Sequence, residues 1–142
     1  MVEGLKVTYL WHDNDVVEVR VVAQNIEFRG TADVYIGTSG LGEIAAQLSG
    51  FPTANTDRRV VALGAAGRET AGGYAMLEFY CTDSAGHVEC RATIEADYGN
   101  ASVTQSAVVQ VRFEPAGLDA FLVQLRRVEE EHSGSASLPI SL

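Results

Sequence analysis

Cys81, His87 and Cys90 are the residues of this chain with types and spacing closest to a metal or thiol site, and they share the stretch from Tyr74 to Ala96. Structural zinc sites bring cysteines together in close Cys-x-x-Cys pairs, because four donors must converge on one ion. Here the steps are six and three. Two strand-like segments flank the turn Asp83-Ser84-Ala85-Gly86-His87, and period-2 alternation aims both sulfurs at the same face. His87 stays in the turn, about 20 Å along the strand at ~3.3 Å per residue. The expectation is a pair of buried, inert thiols, with no metal and no cofactor.

Other chemistry-bearing runs read the same way. His12-Asp13-Asn14-Asp15 offers oxygen and imidazole ligands to a divalent cation, but it lacks the length and the terminal Glu of a calcium loop and suits a turn. Asp83, Ser84 and His87 carry the residue types of a nucleophilic triad. Neighbours in a tight turn seldom converge, however, and no Gly-x-Ser-x-Gly elbow is present. The glycines at 37, 40 and 42 precede a helix without a phosphate-loop lysine. Asp57, Arg58, Arg59 and His87 are the polar groups of a candidate ligand pocket beside the 51–70 loop.

Positioning these residues falls to elements that the pattern outlines. Val17, Val19 and Val21 alternate with Glu18 and Arg20, the signature of a half-buried strand, and Leu5 to Leu10 is its partner across the His12–Asp15 turn. A further extended piece covers Ile26 to Arg29 and resumes at Ala32 to Ile36, interrupted by Gly30. Ser39 can cap a helix that carries Leu41, Ile44, Ala45 and Leu48 on one face and stops at Gly50 before Pro52. The segment from Phe51 to Thr70 is loop-like apart from a short strand at Val60 to Leu63. Gly72-Gly73 opens the central hairpin, and a second hairpin turns through Asp97-Tyr98-Gly99-Asn100 into Ala101 to Phe113. Pro115 starts the last helix, with Leu118, Phe121, Leu122, Leu125 and Val128 as its apolar stripe. Glu129-Glu130-Glu131 opposes the helix dipole at its end and predicts fraying. The reading is one domain over 1–132 and a flexible tail over 133–142.

Register sharpens the central hairpin. A two- or four-residue loop pairs Cys81 with Cys90 and Phe79 with Ala92. The next hairpin then pairs Ile94 with Val103, Cys90 with Ala107 and Val88 with Val109. One apolar face spans three strands, so the expected fold is α+β, a mostly antiparallel sheet with two helices packed on one face. The opposite face shows Tyr74, Met76, Glu78, Tyr80 and Thr82 beside Glu89, Arg91, Thr93 and Glu95. In this register Tyr80 faces Arg91 as a cation–π pair and Met76 faces Glu95. Tyr74, Met76, Tyr80 and Arg91 together suit an interaction surface, unless the loop from Phe51 to Thr70 covers them.

Composition narrows the function classes. The chain has 142 residues, 46% of them hydrophobic and 20% charged, which suffices for a core without metal or disulfides. A net charge of -9, with ten Lys and Arg in no basic stripe, argues against nucleic-acid binding. No run approaches the ~20 apolar residues of a membrane span, and the N-terminal residues carry no signal-peptide pattern. A cytoplasmic protein with reduced thiols is expected.

Leu48-Ser49-Gly50-Phe51-Pro52, Asp57-Arg58-Arg59, Leu63-Gly64, the run Phe79 to His87 and Glu114-Pro115 together cover most of the chain from about Phe28 onward. In these motifs it resembles a group of short uncharacterised bacterial proteins. The resemblance implies a compact domain and carries no activity, cofactor or catalytic residue with it. By analogy of size and charge alone, such domains serve as antitoxin-like immunity proteins. The functional expectation is a non-enzymatic interaction module, regulatory or immunity-like, that binds a protein partner or a second copy as a homodimer. The alternative is a small ligand-binding or hydrolase-like domain with the pocket named above.

Overall fold

A computed structural model describes residues 3–65, 72–96 and 105–141. The eight strands of these residues are β1 (Glu3–His12), β2 (Val16–Gln24), β3 (Arg29–Gly37), β4 (Arg58–Gly64), β5 (Tyr74–Cys81), β6 (Val88–Glu95), β7 (Ser106–Phe113) and β8 (Ser135–Pro139). Helix α1 spans Gly40–Leu48 and α2 spans Pro115–Glu131. The class is α+β, as the pattern predicts. The strands divide, however, into two antiparallel four-stranded sheets, ordered β3-β2-β1-β8 and β4-β5-β6-β7.

The first sheet, rather than a pair of helices, takes up much of the apolar face of the β5–β7 segment. Strand β3 touches all four strands of its neighbour, so the two sheets pack crosswise with β3 over one end of β4 to β7. Gly30 serves this crossing. A Cβ there would lie 3.3 Å from the Cβ atoms of Ile94 and Ala107, so the residue that reads as a break lies inside a continuous β3 and lets it approach. At the other end of the crossing, Gly64 sits at φ 78°, where a Cβ would collide with the carbonyl oxygen of Gly73. Both helices join the same core. Helix α2 lies on β8 and β1, and α1 packs on α2, β3 and β4. Phe51, Phe79 and Phe113 form an edge-to-face chain at 6.1 and 5.8 Å between centroids.

The helix faces are those the spacing predicts: Leu41, Ile44, Ala45 and Leu48 are buried in α1, and Leu118, Phe121, Leu122, Leu125 and Val128 in α2. Ser39 is the first boundary residue of α1 but gives no side-chain cap. The end of α2 does not fray at Glu129. Its carboxylate accepts the Gly42 N–H at 3.1 Å, so the acid at one helix terminus serves the amide-rich terminus of the other. His132, at φ 50°, closes α2 in the left-handed conformation.

The expected tail over 133–142 is a strand. β8 pairs with β1 through Leu5↔Leu138 and Val7↔Ala136, and both Ala136 and Leu138 are fully buried. The first hairpin forms where expected, with β1 against β2 and the Asp13 Oδ1 accepting the Asp15 and Val16 amides at 2.8 and 2.9 Å. Of the further extended piece expected over Ile26 to Arg29, only Arg29 is strand, as the first residue of β3, and the rest is a turn in which Asn25 Oδ1 accepts the Glu27 and Phe28 amides. Both later hairpins keep the expected faces but slide in register. Phe79 pairs with Cys90 and Cys81 with Val88, two residues from the expectation, while Ile94 pairs with Ala107 and Cys90 with Val111, four residues from it. The turn 97–100 that joins the second hairpin lies outside the described residues.

Candidate functional site: the outer face of the second sheet

Odd and even residues of β4 to β7 separate cleanly. The inner set, with Val61, Leu63, Leu77, Phe79, Cys90, Ile94, Val109 and Val111, is buried. The outer set runs in register across four strands. Its first row is Arg58–Tyr80–Glu89–Arg112, the second Val60–Glu78–Arg91–Gln110, and the third Ala62–Met76–Thr93–Val108. A last row carries Gly64, Tyr74, Glu95 and Ser106.

The first two rows form a fixed polar network. Gln110 Nε2 donates to the Tyr80 hydroxyl at 2.5 Å and to Glu89 Oε1 at 3.0 Å, while its Oε1 accepts from Arg91 Nε at 3.1 Å. Glu78 bridges Arg58 at 2.8 Å and Arg91 at 3.3 Å. Both guanidiniums approach the Tyr80 ring, at 5.9 and 5.7 Å from its centroid. The Tyr80–Arg91 contact expected from sequence therefore exists, but as a diagonal neighbour. Directly opposite Arg91 lies Glu78, and Met76 lies opposite Thr93 rather than Glu95. Charge pairing and ring stacking lock these long side chains in place, which lowers the entropy a partner must remove on binding.

The third row is mostly apolar, exposed at its two ends and half-buried at Met76 and Thr93. Val108 at its β7 end is 59% exposed and Ala62 at its β4 end is exposed, and Val60, two residues before Ala62 in the second row, is 51% exposed. Among the described residues the 51–70 segment does not cover this face, because Arg58–Gly64 of that segment is itself the edge strand β4. The 66–70 part lies outside the described residues.

The four residues of the expected ligand pocket go to separate duties. Arg58 projects onto the outer face. Arg59, its neighbour, turns to the other side of β4, where Asp57 Oδ1 and Oδ2 accept from Nε and Nη2 at 3.2 and 2.9 Å. Arg59 Nη1 also donates to the carbonyls of Gln47 and Ser49 at the end of α1, and its Cζ lies 5.6 Å from the Phe51 ring centroid. That is a cation at a helix C-terminus, satisfying carbonyls that have no intrahelical partner. The Arg59 guanidinium, followed by the Thr53 amide, holds the Asp57 carboxyl down to about 2. His87 sits in the β5–β6 turn, its Nδ1 2.7 Å from Asp83 Oδ2. The His87 side chain chiefly, with turn amides, lowers the Asp83 carboxyl.

The thiols are arranged against reactivity. Cys90 is fully buried, and loss of solvation pushes its pKa well above the ordinary thiol value. Cys81 is partly buried with Sγ 3.6 Å from the Ala54 carbonyl, and burial, then the charges of Asp57 and Asp83, raise it too. A nucleophile or metal ligand needs the thiolate that these surroundings disfavour. Among the described residues no three His, Cys, Asp or Glu side chains group as metal ligands.

Two groupings lie beyond the sequence reading. Gln110, the hub of the outer network, occupies the polar position of the run Val108-Val109-Gln110-Val111, but a four-residue register offset hides its neighbours. His12 and His132 stack at 4.1 Å and 16°, with the Tyr9 hydroxyl 2.6 Å from His12 Nδ1, joining ends of the chain that no local pattern links. Comparison with protein-family models, curated proteins and solved structures finds no match to this chain.

Proposed function

We propose that this chain is a non-enzymatic protein-interaction module, regulatory or immunity-like, that contacts its partner through the outer face of β4–β7. One observation carries the reading: the mostly apolar row Ala62–Met76–Thr93–Val108, extended by Val60, lies against a polar network already fixed by its own hydrogen bonds. Tyrosine, methionine and arginine at the centre of such a patch are the residue types that dominate interfaces. The face also carries Arg58, Arg91 and Arg112 against Glu78, Glu89 and Glu95, so its charges balance and it lacks the acidic excess that gives the chain its charge of -9. Face-to-face stacking of two copies, at the ~10 Å sheet spacing, is the simplest form of the contact.

Sedimentation of the wild-type chain and of the Met76→Ser/Tyr80→Ser variant tests the reading, together with quantitative affinity capture of partners. Both residues lie on the outer side of the sheet, so circular dichroism should show the fold retained. The dimer or the captured partner is expected to weaken by about tenfold or more. Unchanged mass and an unchanged set of partners in the folded variant would overturn it.

A further inference from the structure

Sheet edges differ in how the chain finishes them. At β8, the Ser137 amide donates to Gln124 Oε1 at 2.8 Å. At β7, the Asn25 side chain donates to the Gln110 carbonyl at 3.0 Å and the Ser141 amide to the Arg112 carbonyl at 2.8 Å. At β3, the Asp33 carbonyl accepts the Gly73 amide at 2.7 Å. Strand β4, the remaining edge, has no such bond on its outward side among the described residues. Alternate residues of an antiparallel edge strand point N–H and C=O away from the sheet, and these groups form a template for one more strand.

A groove of about 370 Å³ borders that edge, between β4, the end of β3 and helix α1. Val60 and Ala62 line one side, Ile36 and Ile44 contribute apolar surface, and Glu43 and Gln47 of α1 form the far wall. Among the described residues the Glu43 carboxylate has no ion-pair partner, and it is the acidic residue in the first turn of α1. From this geometry we infer that β4 accepts an extended segment of a basic partner protein as a fifth strand of its sheet. Backbone hydrogen bonds to β4 supply affinity. Alternation along the inserted strand supplies selection, with β-branched residues beside Val60 and Ala62 on one side and a Lys or Arg toward Glu43 on the other. Charge decides the class of occupant. A second copy would bring another chain of charge -9 and a second Glu43 to the same groove, whereas a basic segment neutralises both. The inference shares Val60 and Ala62 with the outer-face proposal but rests on the backbone edge of β4 and not on Met76, Tyr80 or Val108.

The probe is a synthetic blocked heptapeptide alternating valine or threonine with lysine, titrated into the full chain with fluorescence polarisation and amide hydrogen exchange. Binding is expected with exchange protection confined to the β4 amides. Methylating alternate peptide nitrogens should weaken it by about tenfold. Replacing its lysines by glutamate should weaken it further still, and Glu43→Gln should lower the affinity for the lysine peptide about threefold. The inference fails if the methylated peptide binds as well as its parent, if protection appears on another edge, if the glutamate peptide binds equally, or if no binding is seen at millimolar peptide. Concentration-dependent self-association that protects β4 without peptide would overturn the choice of a basic partner. The Met76→Ser/Tyr80→Ser variant should bind the peptide normally, which separates this test from the previous one.

Discussion

Asp57 accepts from Arg59 and from the Thr53 amide, and these bonds exist only in the folded chain. Its carboxyl falls from the ordinary 3.8 to about 2, so folding favours the ionised form. The contribution is complete above the ordinary value and is lost as pH falls from 3.8 towards about 2. Asp57→Asn is therefore expected to cost about 1–2 kcal/mol at neutral pH, and to flatten the acid limb of stability below pH 4. Urea unfolding across a pH series checks both, and an acid limb as steep as wild type would exclude Asp57 as its source. At this scale the sequence shows the residue types of a polar cluster but not their partners. Adjacent residues of a strand point to opposite sides, and this alone sends Arg58 to the outer face and Arg59 to the end of α1. Cys81 and Cys90 were legible as packing residues because parity survives any even slip of register.

Secondary-structure elements were readable in proportion to the length of their pattern. The α2 stripe covers three turns, and its buried residues are those the spacing names. β8 offers only five residues, of which Ala136 and Leu138 are apolar, inside a Ser/Gly-rich run, and its partner β1 lies at the other end of the chain. Nothing local distinguishes it from a tail. Leu138→Ala is expected to destabilise the protein by about 2–5 kcal/mol, because it empties a fully buried site in the core. A loss below ~0.5 kcal/mol in denaturant titrations would instead fit a dispensable tail. The hairpins show a related limit. The pattern fixes which face each residue takes, while the offset depends on the loop, and Thr82–His87 closes with six residues through the Thr82 amide on the His87 carbonyl at 2.9 Å. Two- and four-residue loops preserve the same parity, so alternation cannot choose among them.

At the scale of the molecule, one hydrophobic cluster draws on both sheets and both helices. Its two halves should unfold together. Trp11, the single tryptophan, reports on the first sheet, and alkylation of buried Cys90 reports on the second. Their denaturant transitions are expected to coincide, and separated midpoints would show two independently stable layers. The outer face of β4–β7 and the open edge of β4 belong to this scale too, since both depend on what the rest of the chain covers or leaves. The sequence by itself determined the α+β class, the helix faces, the inward thiols and the outward set Tyr74, Met76, Tyr80 and Arg91, because periods of 2 and 3.6 are local properties of the backbone. Only the tertiary structure decided that there are two crossed sheets, that Gln110 joins Tyr80 and Arg91, that β8 closes the first sheet and that, among the described residues, nothing bonds to the outward side of β4. Those outcomes rest on pairings between distant segments, where loop closure and the fit of one packed face against another choose among registers that the local pattern leaves equal.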